Sequence, residues 1–132
     1  MSRIHDFLNE AKVFYLATED GKQAKVRPLG AHVEKDGDEY FTVGDFKEVY
    51  RQMVEDPLVE IVAFTPEDRK WLRYTGKAEF VDDPEIQEKV FEDLPHLRAI
   101  YNANSGHKMM IFHLVDSTAK ILDMQGNAEG IK

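Results

Sequence analysis

The chain has 132 residues, 42% of them hydrophobic, which suits one domain over residues 1–132 with a real core and argues against disorder. Its 25 acidic and 17 basic side chains give a net charge of −8, which disfavours nucleic acid and anionic membranes as partners but leaves room for one local basic pocket. The absence of cysteine excludes disulfides, thiolate metal sites and cysteine nucleophiles, and with no signal-peptide core and no apolar run near the roughly 20 residues of a membrane span the expectation is a soluble, cytoplasmic protein.

The first element is a helix over Ser2–Lys12. Ile4, Phe7, Leu8 and Ala11 recur at helical spacing, and Ser2 can cap its start. Val13–Thr18 is rich in strand formers and runs into an Asp20-Gly21 turn signal. A second strand, Gln23–Val33, is interrupted at Pro28 and Gly30, which implies an edge, a strand end or a bulge. Asp36-Gly37 is the next turn, and Glu39–Val43 the third strand. Phe46–Glu55 follows as a helix with Asp45 placed as its N-cap, ended by Asp56-Pro57.

Leu58–Thr65 and Trp71–Val81 are strands on either side of a polar turn, the second interrupted by Gly76. Pro84 opens a helix to about Leu94, and Pro95–Asn102 is a further short one. After a loop, Met109–Val115 and Ala119–Met124 make two final strands, and Gln125–Lys132 is a polar tail without regular structure. Six or seven mostly antiparallel strands with flanking helices describe a small barrel, not the regular strand–helix alternation of a dinucleotide-binding fold.

Two cations stand at backbone irregularities. Arg27 lies in Lys25-Val26-Arg27-Pro28-Leu29-Gly30, and Lys47 lies in the first turn of a helix after Tyr40-Phe41-Thr42-Val43-Gly44. A helix N-terminus favours an anion, so a bound phosphate explains a lysine that the helix dipole opposes. An arginine adds a planar fork for the same anion.

The ordered set of local sequences resembles the pyridoxamine 5'-phosphate oxidase-like family, whose members share an FMN-binding split β-barrel. The likeness spans roughly Phe14–Leu122. It rests on Phe14-Tyr15-Leu16-Ala17-Thr18, Arg27-Pro28-Leu29, Tyr40-Phe41-Thr42, Asp56-Pro57 and Trp71-Leu72-Arg73-Tyr74-Thr75-Gly76. The resemblance implies a homodimer with FMN at its interface. By position it gives Arg27 and Lys47 the flavin phosphate, Pro28 and Leu29 the ring edge, and Phe41, Thr42 and Trp71 further cofactor contacts. Trp71 stands where relatives carry a polar residue.

The resemblance also implies an oxidoreductase in which the flavin passes hydride to a small molecule, with NADH or NADPH as a candidate donor and no catalytic side chain assigned. Nitroimidazole reductase-like relatives illustrate such an acceptor. FMN is favoured over F420 or haem. The parent oxidase's C-terminal substrate motif is missing, and its substrate-contacting lysine falls near His32, so vitamin B6 oxidation is not expected. His32 is the candidate for touching substrate. The five histidines show no HxxxH or HxH spacing, so no metal site is expected. Two alternatives stay open: an FMN carrier or sensor without turnover, and a barrel-shaped interaction module without flavin.

Overall fold

The computed structural model describes residues 2–132. Helix α1 (Arg3–Ala11) begins at Ser2, whose hydroxyl accepts from the backbone N–H groups of Ile4 and His5. It buries Ile4, Phe7 and Leu8, the face that the helical spacing foretells. Strand β1 (Phe14–Asp20) turns at Gly21 into β2 (Gln23–Leu29). Asp20 pairs Gln23, so Gly21 opens the two-residue loop, and its φ of +64° is the conformation that the first position of such a hairpin turn needs.

The expected second strand is two strands. Proline and glycine break the ladder after Leu29, and β3 (His32–Lys35) leaves to pair with β4 (Asp38–Gly44). After helix α2 (Glu48–Glu55) come β5 (Leu58–Thr65) and β6 (Lys70–Val81). Helix α3 (Pro84–Asp93) starts at Asp83, whose carboxylate accepts from the N–H groups of Glu85 and Ile86, and a 3-10 helix (Pro95–Ala99) follows.

The two expected C-terminal strands are one 15-residue strand, β7 (Met109–Asp123). Its irregular middle, at Asp116 and Ser117, is a bulge against β6 rather than a break: Thr75 pairs Thr118 and Lys77 pairs Val115. Gly76 makes the bulge fit, since a Cβ there would lie 2.9 Å from Ser117 Cβ and 3.0 Å from the Val115 carbonyl oxygen. The tail is not wholly irregular either, because β8 (Ala128–Gly130) adds to the second half of β7.

The sheet runs in the order β2-β1-β5-β6-β7-β4-β3 with every pair antiparallel. It curls until its two flanks meet around one core. Phe14 of β1 packs edge-on against Phe41 of β4 at 5.4 Å, although three strands separate them in the sheet. Leu16, Ile61, Leu72, Tyr74 and Phe112 fill the interior, and α1 docks on the same core. A second, smaller core forms where Ile86, Val90 and Phe91 of α3 meet Val33, Met109 and Ile111.

Candidate functional site

A cleft of about 730 Å³ opens where β2, β4 and α2 meet the 3-10 helix. That volume falls inside the roughly 300–1,000 Å³ of small-molecule sites. Arg27, Pro28, Leu29, Thr42 and Lys47 all line it. Five of the residues singled out from sequence are therefore brought to one place by β2 at one end of the sheet order, β4 next to the other end, and the start of α2.

The other three are elsewhere. Phe41 and Thr42 are successive residues of one strand, so their side chains leave opposite faces. Thr42 borders the cleft, and Phe41 is fully buried among Phe14, Tyr74 and Phe112. Trp71 pairs with Phe64 and Leu122 on the outward face of the sheet, away from this chain's cleft. His32 does not reach the cleft, because its ring is turned inward to Glu39.

Arg27 is held in an unexpected way. Its Nη1 donates to the Leu16 carbonyl at 3.1 Å and to Thr18 Oγ1 at 2.7 Å, and its Nη2 donates to Gln52 Oε1 at 2.8 Å. The Thr18 hydroxyl donates to the same Gln52 oxygen at 2.6 Å. One end of the guanidinium is thus locked onto β1 and α2 through two buried polar side chains. The Nε–H and one Nη2–H have no partner among the described residues.

Every acceptor on Arg27 is neutral, and no carboxylate pairs with it among the described residues. Burial lowers its pKa below the ordinary arginine value, the mark of a cation taken from water without a counter-charge. Such a group in a cleft stabilises an incoming anion.

The start of α2 adds to this. The N-cap is Lys47, not Asp45, and its side chain makes no capping bond. Asp45 is diverted to the loop before β7, where its carboxylate accepts from the Lys108 N–H at 2.9 Å and its own N–H bonds to the Lys108 carbonyl. Lys47, Glu48 and Val49 therefore present an N-terminus without a side-chain cap to the cleft. The Lys47 ammonium is exposed and lies 5.2 Å from the Phe46 ring centroid, with no ion-pair partner among the described residues.

The far wall was not foreseen from sequence. Leu94, His96, Leu97 and Tyr101 close the cleft from the 3-10 helix and the residues flanking it. Burial, and then the charge of Asp45, raise the Tyr101 pKa, so its hydroxyl stays neutral at pH 7. Gln52 and Thr18 were also missed. Gln52 carried a readable signal, a polar residue on the buried face of α2 beside Val49 and Met53. Gly44 keeps the wall thin: a Cβ there would meet Phe46 at 2.8 Å and the Tyr101 oxygen at 2.9 Å.

The fold and cleft define a split β-barrel with a cationic pocket at the seam between its flanks. The chain belongs to the pyridoxamine 5'-phosphate oxidase-like family: the family's sequence profile, described as pyridoxamine 5'-phosphate oxidase, matches residues 2–125. No curated protein sequence matches the chain.

Among solved structures, a NimC/NimA family protein from Clostridium acetobutylicum is 31% identical, with a TM-score of 0.83 over 97% of this chain and 91% of that one. A pyridoxamine 5'-phosphate oxidase-related, FMN-binding protein from Nostoc punctiforme is 16% identical, with a TM-score of 0.65 over 98% of this chain and 95% of that one. A heme-binding protein from Mycobacterium smegmatis shares the fold at 15% identity and a TM-score of 0.73, over 94% of this chain and 54% of that one.

Proposed function

We propose that the chain is an FMN-binding oxidoreductase that works as a homodimer. The observation that carries this is Arg27, a partly buried cation that among the described residues keeps two N–H groups without a partner and has no carboxylate beside it, in the same cleft as the exposed helix start at Lys47. A phosphate monoester meets both needs, since it supplies the missing negative charge and accepts several N–H groups at once. The apolar part of the cleft, Leu29, Val43, Leu94 and Leu97, suits a flat heteroaromatic ring better than a small inorganic anion.

FMN supplies hydride transfer when bound. The chain's own residues bind and orient it. Arg27 is held rigid by Thr18 and Gln52, Lys47 adds charge, and the leucine wall keeps water from the ring side. No side chain in the cleft is assigned a proton-transfer role.

The relatives with FMN and with heme pose the choice of occupant, and this cleft favours the flavin. An axial heme ligand calls for a histidine or a similar donor. Here His96 borders the cleft from an exposed position, and the phosphate-ready features point elsewhere.

Dimerisation is supported by the outward sheet face. Tyr15, Val26 and Phe64 are 46%, 68% and 41% exposed, and Val62 and Trp71 continue the same apolar face. A second copy on this face would cover Trp71.

The test is the purified protein's visible spectrum with added FMN, then anaerobic reduction by NADH or NADPH and reoxidation with small acceptors including nitro compounds. A protein that ignores FMN at high concentration defeats the proposal. A protein that binds FMN and transfers no electrons across that panel is a carrier or sensor instead.

A further inference from the structure

One buried cluster of titratable groups takes no part in the cleft. His5 comes from α1, His32 opens β3, and Glu39 lies in β4. His5 Nδ1 lies 2.8 Å from Glu39 Oε1 and 3.2 Å from Oε2, and His32 Nδ1 lies 2.5 Å from Oε1. The two imidazole rings meet edge-on with centroids 5.0 Å apart. The Glu39 side chain is 1% exposed, His32 8% and His5 22%.

No lysine or arginine reaches Glu39 among the described residues; its side-chain partners are the two imidazoles. A buried carboxylate is costly unless it is paired or ligates a metal. A lone arginine would satisfy it more simply than two imidazoles drawn from separate elements. The convergence of two ring nitrogens and one carboxylate oxygen, all within 4.8 Å of one another, is the donor set of a transition-metal site. Phe14 packs edge-on against His32 at 5.8 Å and gives the cluster an apolar surround.

We propose that His5, His32 and Glu39 bind one divalent transition-metal ion of the zinc class. Two imidazoles and a single carboxylate suit Zn2+, Fe2+ or Co2+ and not the oxygen-seeking Mg2+ or Ca2+. Metal bonds of about 2.0–2.2 Å require ligand atoms roughly 3.3 Å apart, so an ion widens the two histidine–Glu39 contacts by under about 1 Å, and the two ring nitrogens, within 4.8 Å of each other, settle to the same spacing. Three protein ligands leave a position for water. Glu39 also borders a cleft of about 410 Å³ with Ser2, Gly37 and Lys132, which gives solvent a way in. The ion would staple α1 to the β3–β4 hairpin, and none of its three ligands lines the cleft of Arg27 and Lys47.

The experiment uses the full chain, stripped with a chelator and titrated with Co2+. The expected result is one tightly bound Co2+ with visible d–d absorption, displaced by Zn2+ and not by Mg2+, and a rise in Tm with either transition metal. His5→Gln and His32→Gln should each weaken Co2+ binding at least tenfold. Imidazole NMR of the wild-type chain with Zn2+ should shift His5 and His32 and leave His96, His107 and His113 unmoved, a readout that needs no variant to fold. Failure of the wild-type chain to bind Co2+, retention of full affinity in both variants, or shifts confined to the other three histidines would each overturn the proposal.

Discussion

Replacing Arg27 by methionine separates two jobs of one side chain. The apolar stem is kept, while the charge and all five donors go. In the empty protein the loss is smaller than three hydrogen bonds suggest. Gln52 Oε1 keeps the Thr18 hydroxyl at 2.6 Å, so it is not orphaned. The Leu16 carbonyl and Thr18 Oγ1 lose the N–H donor they accept from, which costs about 1–3 kcal/mol of folding stability. In the complex, the missing charge-assisted contact to phosphate costs a further 1.5–3 kcal/mol or so. At about 1.4 kcal/mol per decade, Kd for FMN rises roughly 10- to 150-fold.

Riboflavin is the control, because it has the ring and lacks the phosphate. Flavin-fluorescence titration should show FMN weakened in Arg27→Met and riboflavin nearly unchanged. Lys47→Ala should give the same ligand pattern, with a stability change within about 0.5 kcal/mol, since Lys47 is exposed and makes no ion pair among the described residues. Equal losses for FMN and riboflavin, or no loss for FMN with the fold intact, would refute the phosphate assignment.

Three further outcomes are expected. His113 lies between Asp38 and Glu79 at 2.6 and 2.7 Å and stacks on Tyr40; burial opposes its charged form, but the bonds to Glu79 and Asp38 and their negative charge outweigh it and raise its pKa. With the folded pKa above the unfolded value of about 6.5, its stabilisation is full below that pH and fades as pH climbs through the folded pKa. Urea midpoints of wild type and His113→Gln should therefore differ most near pH 6 and converge in mild alkali; a gap that widens with pH contradicts the ion-pair account. Gly76→Ala should cost about 1–3 kcal/mol by chemical denaturation, because its new Cβ meets the Val115 carbonyl and Ser117 Cβ, neither of which can swing aside; an unchanged midpoint would mean the bulge yields. Val62→Lys, placed in the centre of the outward apolar face, should shift the mass measured by light scattering from dimer to monomer, and an unaltered mass would remove that face as the interface.

Much of the local structure was legible in the chain. Ser2 and Asp83 are caps that need only their own neighbours, and Asp-Gly at 20–21 and 36–37 turns the chain because glycine tolerates the left-handed backbone found at both. Arg27 and Lys47 were legible as cations at odd places. Their shared anion was legible too, but the cleft that joins them was not, because β2 and β4 are far apart in the ladder and meet only when the sheet curls. Asp45 shows the limit well: it satisfies every local rule for an N-cap, yet the loop before β7 takes its carboxylate. A side chain has a few hydrogen bonds to give, and tertiary neighbours compete for them on equal terms with sequence neighbours.

Along the chain one can read the helices in order, the two Asp-Gly turns, the buried stripe of α1, and a resemblance that the family match supports over residues 2–125. Tertiary structure alone decided that β7 runs on through its bulge, that Phe41 belongs to the core while Thr42 faces the cleft, and that Arg27 is braced by Gln52. It alone joined His5 and His32 to Glu39. Turn and helix signals act over three or four residues, so they can be read along the chain. A braced cation or a three-residue donor set depends on groups up to 34 positions apart, and their meeting is set by how the sheet closes on its core.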